Sequence, residues 1–143
     1  MRSAFAVLEP RDERPIVGLM LRAPQAEFYY TIRPITSRLI EIEYAGYMPD
    51  DDEHVRRTEE AVREALEPVG LYYYVAEFTG YHRSQVPRHG ELFKHLGTRV
   101  RGIAVVGARP VVRFGAITVS LISKTPLKTF DSREEALDWL DRI

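Results

Sequence analysis

The sequence predicts an α/β fold in which strands and helices alternate and at least some strands pair in parallel. Three observations carry this. A strand-like run with alternating acidic and apolar residues leads into an acid-rich stretch of helical periodicity. Two later runs, LYYYVAEF and GIAVVG, are apolar on both faces, as strands in the middle of a sheet are. Each is followed by a segment with helical spacing, and strand–helix–strand connections imply right-handed crossovers.

At 143 residues the chain is about the size of one ordinary domain and buries roughly two-thirds of the surface its unfolded form exposes. We expect a single domain over residues 1–143, with residues 1–38 as an N-terminal β elaboration and residues 39–143 as the core. Hydrophobic residues at 45% and charged residues at 29% exclude disorder and fibrous repeats. A net charge of −1 leaves no footprint for nucleic acid. The absence of cysteine rules out disulfides, thiolate metal sites and cysteine nucleophiles. The opening MRSAFAVLEPRDERP has too short an apolar run for a secretory signal, and no segment reaches the ~18 apolar residues of a membrane span. The expected location is cytoplasmic.

The first forty residues hold three short strand candidates, AFAVLE, PIVGLMLRA and EFYYTI. Next, LIEIEYAGY from Leu39 to Tyr47 places Leu39, Glu41 and Glu43 on one face and Ile40, Ile42 and Tyr44 on the other, a half-exposed strand. PDDDEHVRRTEEAVREALEPVG then carries Val55, Val62, Ala65, Leu66 and Val69 at helical spacing. Its carboxylates suit the positive end of a helix, and Asp50 or Asp51 is placed to cap it. Acids opening a helix account for the DDDE run without a metal, and His54 in the first turn reads as a solvated surface residue. Leu71 to Phe78 is a central strand, in which Tyr72, Tyr73 and Tyr74 read as good strand residues. A helix from Val86 to Leu96 places His89, Leu92, Phe93 and Leu96 on one side, so His89 reads as a boundary residue with its ring partly packed. Gly102 to Gly107 is a second central strand. Pro110 starts a helix running to Ile122, LKTF is a last short strand, and DSREEALDWLDRI is a terminal helix with capping-box spacing at Asp131 and Ser132.

Three of these features in order, IEIEYAGYMPDDDEHV, RGIAVVGARPVVRFGAITVSL and TFDSREEALDWL, resemble the STAS/SEC14 group of small bacterial domains, and within it the SpoIIAA-like branch. The likeness spans residues 39–143. It implies a mixed four- or five-stranded sheet with helices mainly on one face. It implies a binding or regulatory module in place of an enzyme, and the related SEC14 domains, which hold lipids in an apolar cavity, imply an alternative: a carrier or sensor of an apolar ligand.

The stretch EFTGYHRSQVPRHG, from Glu77 to Gly90, concentrates the polar chemistry. In the family's anti-sigma-factor antagonists the corresponding loop carries a phosphorylated hydroxyl. Aligning Glu77-Phe78-Thr79-Gly80 with the family's run puts that position near Gln85-Val86-Pro87-Arg88, with Ser84 one residue early, so Ser84 is the candidate phosphosite. Ser84 with His82 or His89 and Glu77 supplies the residue types of a hydrolase triad, but the glycines of a nucleophile elbow are missing. We assign no catalytic residue. His82, His89 and His95 have no recognised metal-ligand spacing, and no metal or cofactor is expected. The loop follows a central strand, where α/β sheets commonly bind ligands, so Tyr81, His82, Arg83 and Arg88 are the expected contacts to a protein partner.

The helix PVVRFGAITVSLIS gathers Arg113, Ser120 and Lys124 into a narrow polar stripe, leaving apolar residues around most of its circumference. A helix on one sheet face needs less, so Val111, Phe114, Val119 and Ile122 are candidates for a homodimer interface or an apolar ligand site. The functional expectation is a non-enzymatic regulatory or scaffolding module acting through protein–protein contact.

Overall fold

The computed structural model describes residues 27–143. These form β1 (Tyr29–Thr36), β2 (Leu39–Met48), α1 (Glu53–Glu64), β3 (Val69–Tyr81), α2 (Gln85–Leu96), a 3₁₀ turn (Gly97–Arg99), β4 (Val100–Val106), α3 (Pro110–Ser123), β5 (Leu127–Phe130) and α4 (Arg133–Arg142). One five-stranded mixed sheet runs in the order β1-β2-β3-β4-β5. β1 and β2 are antiparallel, and every later neighbour is parallel.

The position of the helices follows from this order. From β2 to β5 each crossover steps one strand in the same direction, and right-handed crossovers that all step one way place their helices on one face. α1, α2 and α3 therefore share that face, over a core that includes Ile42, Leu71, Val75, Phe93 and Ile103. α4 comes after the last strand and turns back under the opposite face, where Ala136 and Leu140 cover Tyr72, Ala104 and Val106. The expected mixed sheet with helices mainly on one face is the observed fold.

Local chemistry explains the element boundaries. In β2, Ile40, Ile42 and Tyr44 are buried, and the alternate residues Leu39, Glu41 and Glu43 are half-buried. Glu41 is held by Arg33 at 3.1 Å and by Arg133 at 3.2 Å, which ties β1 and α4 to this face. α1 opens where Asp51 Oδ1 accepts the Glu53 backbone N–H at 2.7 Å, which serves one of the orphan donors of the first turn. It ends at Glu64, one turn earlier than its apolar spacing suggests, because Ala65 is extended. Leu66 is 97% exposed and Val69 begins β3, so neither extends the helix. α4 is capped by Ser132, whose Oγ accepts the Glu135 N–H at 3.2 Å. Of the three N-terminal strand candidates, AFAVLE and PIVGLMLRA lie outside the described residues, and EFYYTI contributes to β1.

His54 departs from expectation. It is buried, 1% exposed, because α1 turns His54, Thr58, Ala61 and Val62 inward. That spacing of four, seven and eight residues marks one helical face, and the carboxylates around His54 in sequence point elsewhere.

Candidate functional site

β2 and β3 are parallel neighbours that end together, with Met48 opposite Tyr81. The loops that follow them, residues 49–52 and 82–84, therefore lie side by side at the C-terminal edge of the sheet. Polar contacts join them. The His82 backbone N–H donates to Met48 O at 2.8 Å. Gln85, at the start of α2, uses its amide nitrogen twice, to Pro49 O at 2.6 Å and Asp51 O at 2.7 Å. Arg88, one turn on, donates to Asp51 O and pairs with Asp50, both at 3.0 Å.

Ser84 immediately precedes α2. Its hydroxyl lies 2.9 Å from Asp50 Oδ1 and 2.9 Å from His82 Nδ1, and its backbone N–H donates to the same His82 nitrogen at 3.1 Å. His82 Nδ1 is therefore an acceptor, and one hydroxyl proton serves two acceptors in parallel. A hydrolytic relay needs the acid behind the histidine, in series. Here Asp50 faces the serine and Arg88, and its carboxyl is held below the usual range by the Ser84 hydroxyl first and then by Arg88. Glu77 is exposed, and His89 is buried away from the serine. The residue types of a triad do not assemble.

The four expected partner contacts separate in the same way. Arg83 is exposed and His82 half-buried. Arg88 is engaged by Asp50. The Tyr81 hydroxyl reaches across to α3 and donates to Val111 O at 2.7 Å. Among the described residues, Arg83 is the cation of this edge that makes no ion pair.

Behind the loop lies a polar knot in the core. His89 Nδ1 is 2.8 Å from Gln85 O, and a carbonyl only accepts, so Nδ1 carries the proton. Nε2 then accepts from the Tyr44 hydroxyl at 3.1 Å. The His54 ring lies 5.3 Å from the His89 ring, edge-on to Tyr44 and Phe28. His54 Nε2 and Gln85 Oε1 are buried without a hydrogen-bond partner of good geometry. Burial is the main force on both imidazoles. It lowers His54 to about 3, with the neighbouring His89 adding to the effect, and His89 to about 4. Both rings are neutral at pH 7. The expected boundary position of His89 gives way to the interior, because Gln85, His89, Leu92, Phe93 and Leu96 turn inward together.

Next to this knot is an apolar cavity of about 90 Å³ between the sheet and α3, walled by Phe78, Val105, Val112, Val119 and Leu127 among others. α3 sits close because two glycines admit it. A Cβ on Gly115 would stand 2.4 Å from the Tyr81 hydroxyl, and one on Gly90 of α2 would stand 2.6 Å from the Ile122 side chain. The four apolar candidates of α3 do not form one surface. Val119 lines the cavity, Ile122 packs on Gly90, and Val111 and Phe114 face outward, 49% and 72% exposed.

Sequence reasoning missed Asp50 as a latch, Gln85 as the bridge between loops, and Tyr44 as the partner of His89. Gln85 had a signal in its position, four residues before His89 at the start of the helix.

A mixed sheet with three helices on one face and a short polar loop leading from the central strand into the second helix defines a class of small α/β domains. Within that class the chain belongs to the SpoIIAA-like family, whose model matches residues 39–141. No curated protein matches the sequence. Among solved structures it resembles an uncharacterized protein from Shewanella loihica PV-4 with a SpoIIAA-like fold (16% identity, TM-score 0.62, 80% of this chain and 96% of that one). It also resembles the anti-sigma factor antagonist SpoIIAA in its unphosphorylated form (15%, 0.60, 80% and 97%). A third likeness is to an anti-sigma factor antagonist from Mycobacterium paratuberculosis (15%, 0.56, 80% and 95%). At these identities the likeness is one of fold.

Proposed function

We propose that the protein is a non-enzymatic regulatory module that binds a protein partner through the edge formed by the β3–α2 loop. The observation that carries this reading is the latch. Asp50, Gln85 and Arg88 fix the β2–α1 loop to the first turn of α2, and so hold exposed Arg83, with His82 beside it, in one place at the sheet's C-terminal edge. A preorganised loop loses little entropy on binding. Two of the structures that share the fold are anti-sigma factor antagonists by name.

Ser84 is the candidate control point of this edge. A phosphate there carries nearly two negative charges at neutral pH and would stand against Asp50, now 2.9 Å from the hydroxyl. Repulsion would expel Asp50, and Arg88 would turn from Asp50 to the phosphate. The Asp50 clasp on α2 would open while Gln85 still joins the two loops, and the surface around Arg83 would change its charge and shape.

The test is quantitative affinity capture from the source cells, comparing the wild type with Arg83→Glu and Ser84→Glu. A protein enriched by the wild type and depleted at least several-fold by Arg83→Glu supports the reading. An identical set of captured proteins for all three removes the loop from consideration.

A second reading is favoured by the cavity under α3: a carrier or sensor of a small apolar molecule. A dry engineered cavity of ~150 Å³ holds benzene, so about 90 Å³ suits a group of a few carbon atoms. Native mass spectrometry of freshly purified protein tests it. An added mass lost on denaturation supports a ligand, and a bare chain mass leaves the interaction module alone.

A further inference from the structure

α3 presents an apolar stripe to solvent that no described residue covers. Val111, Phe114, Ile117 and Leu121 are 49%, 72%, 51% and 73% exposed, and their spacing keeps them on one side of the helix over about three turns. The helix is held firmly from behind, by Val112 and Val119 in the core and by the Tyr81 bond to its first turn. The stripe is thus a rigid surface. Monomeric proteins rarely leave such a contiguous patch without a function.

Charge says what would cover it. Between Glu91 and Asp131 the sequence has no acidic residue, and on or beside the helices of this face it has the exposed cations Lys94, Arg109, Arg113 and Lys124. The opposite flank of the helical layer is the reverse: α1 and the loop before it hold Asp50 to Glu53, Glu59, Glu60 and Glu64 against Arg56, Arg57 and Arg63. On α3 the cations take one edge of the stripe. Arg113 and Lys124 are eleven residues apart, three full turns, and so lie in line, and both are exposed. The other edge faces α2, where Gly90 packs on Ile122.

We propose that the outer face of α3 is a docking site for an acidic amphipathic helix of a partner protein, about three turns long. Its apolar side chains, spaced i, i+3/i+4, i+7, lie on Phe114, Ile117 and Leu121, and a row of carboxylates on one of its edges meets Arg113 and Lys124. The asymmetry of the cations favours this occupant. In an antiparallel two-fold pairing with a second copy, both cationic edges fall on the same side of the contact and repel. The proposal rests on the protein-interaction reading and extends it, giving the partner a second foothold away from the β3–α2 loop.

Two labelled peptides test it by fluorescence anisotropy. Both carry leucines at i, i+3, i+4 and i+7. One has glutamates along one edge and its twin has lysines there. The glutamate peptide is expected to bind at least about tenfold more tightly than the twin, to weaken from 50 to 300 mM salt, and to lose about tenfold on Arg113→Glu with Lys124→Glu. Phe114→Ser with Leu121→Ser should abolish binding, and Arg83→Glu should leave it unchanged. Equal binding of the twins, or none, overturns the proposal. So does stable self-association in sedimentation, or flotation with phosphatidylglycerol vesicles, when Phe114→Ser with Leu121→Ser abolishes it and the peptides do not bind. If Arg83→Glu depletes the captured partner in the preceding experiment and the peptides still fail, this site falls and the loop reading stands. If the peptides bind but the loop variant changes no capture, the loop reading falls and this site stands.

Discussion

α1 and α3 lie on the same face of one sheet, on either side of α2, and they solve opposite problems. α1 turns two polar residues, His54 and Thr58, into the core and shows solvent a surface with i,i+4 ion pairs, Arg57 with Glu53 and Arg63 with Glu59. α3 buries Val112, Gly115, Val119 and Ser123 and shows solvent Phe114 and Leu121. A helix can thus be polar inward and charged outward, or apolar on both sides, and still pack on a common sheet. The cost falls in different places. In α1 it is desolvation inside the fold, and in α3 it is apolar area exposed to water until something covers it.

The largest expected effect tests the α1 side. The unfolded chain takes a proton on each histidine near pH 6.5, whereas the folded chain resists until about pH 3 for His54 and about pH 4 for His89. The unfolded state binds more protons across that window, so stability is fully present above pH 6.5 and falls as the pH drops below it. From pH 7 to 4.5 the loss should be about 2 kcal/mol per imidazole, read as a falling urea midpoint. His54→Leu with His89→Leu should flatten that part of the profile, and an unchanged slope would show that the rings are not the cause.

The two histidines should also differ from each other at pH 7. His89→Leu strands the Tyr44 hydroxyl, whose partner is Nε2, at a cost of about 1–3 kcal/mol. His54→Leu removes a ring whose Nε2 has no good partner, and it should be neutral or slightly stabilising. Equal losses would mean that His54 has a partner after all.

Gly90→Val tests how closely α3 must sit. The added carbon would stand 2.6 Å from Ile122, and overpacking of this kind costs about 1–3 kcal/mol. Wild-type stability would mean that α3 can shift outward freely, which would strengthen the apolar-ligand reading.

The smallest effect belongs to the exposed stripe. Phe114→Ser with Leu121→Ser should change stability by less than about 0.5 kcal/mol per site, because both side chains are mostly in solvent. A loss of several kcal/mol would show that the stripe is already covered, and would end the contrast between the two helices.

The sequence alone determined the architecture. The alternation of Ile40, Ile42 and Tyr44, the two central strands and the terminal capping motif depend on neighbours in the chain and on burial, and both leave periodic marks. The loop after Tyr81 was also legible as the place to look. What only the tertiary structure decided is which groups meet. Asp50 reaches Ser84 and Arg88 across more than thirty residues because parallel β2 and β3 end in register, and no local pattern records that register. The same holds for His54, whose charged neighbours in sequence suggested water and whose helical face leads into the core. It holds for α3 too, since its apolar circumference is a property of the chain, but which part faces water depends on where α2 and the sheet stand.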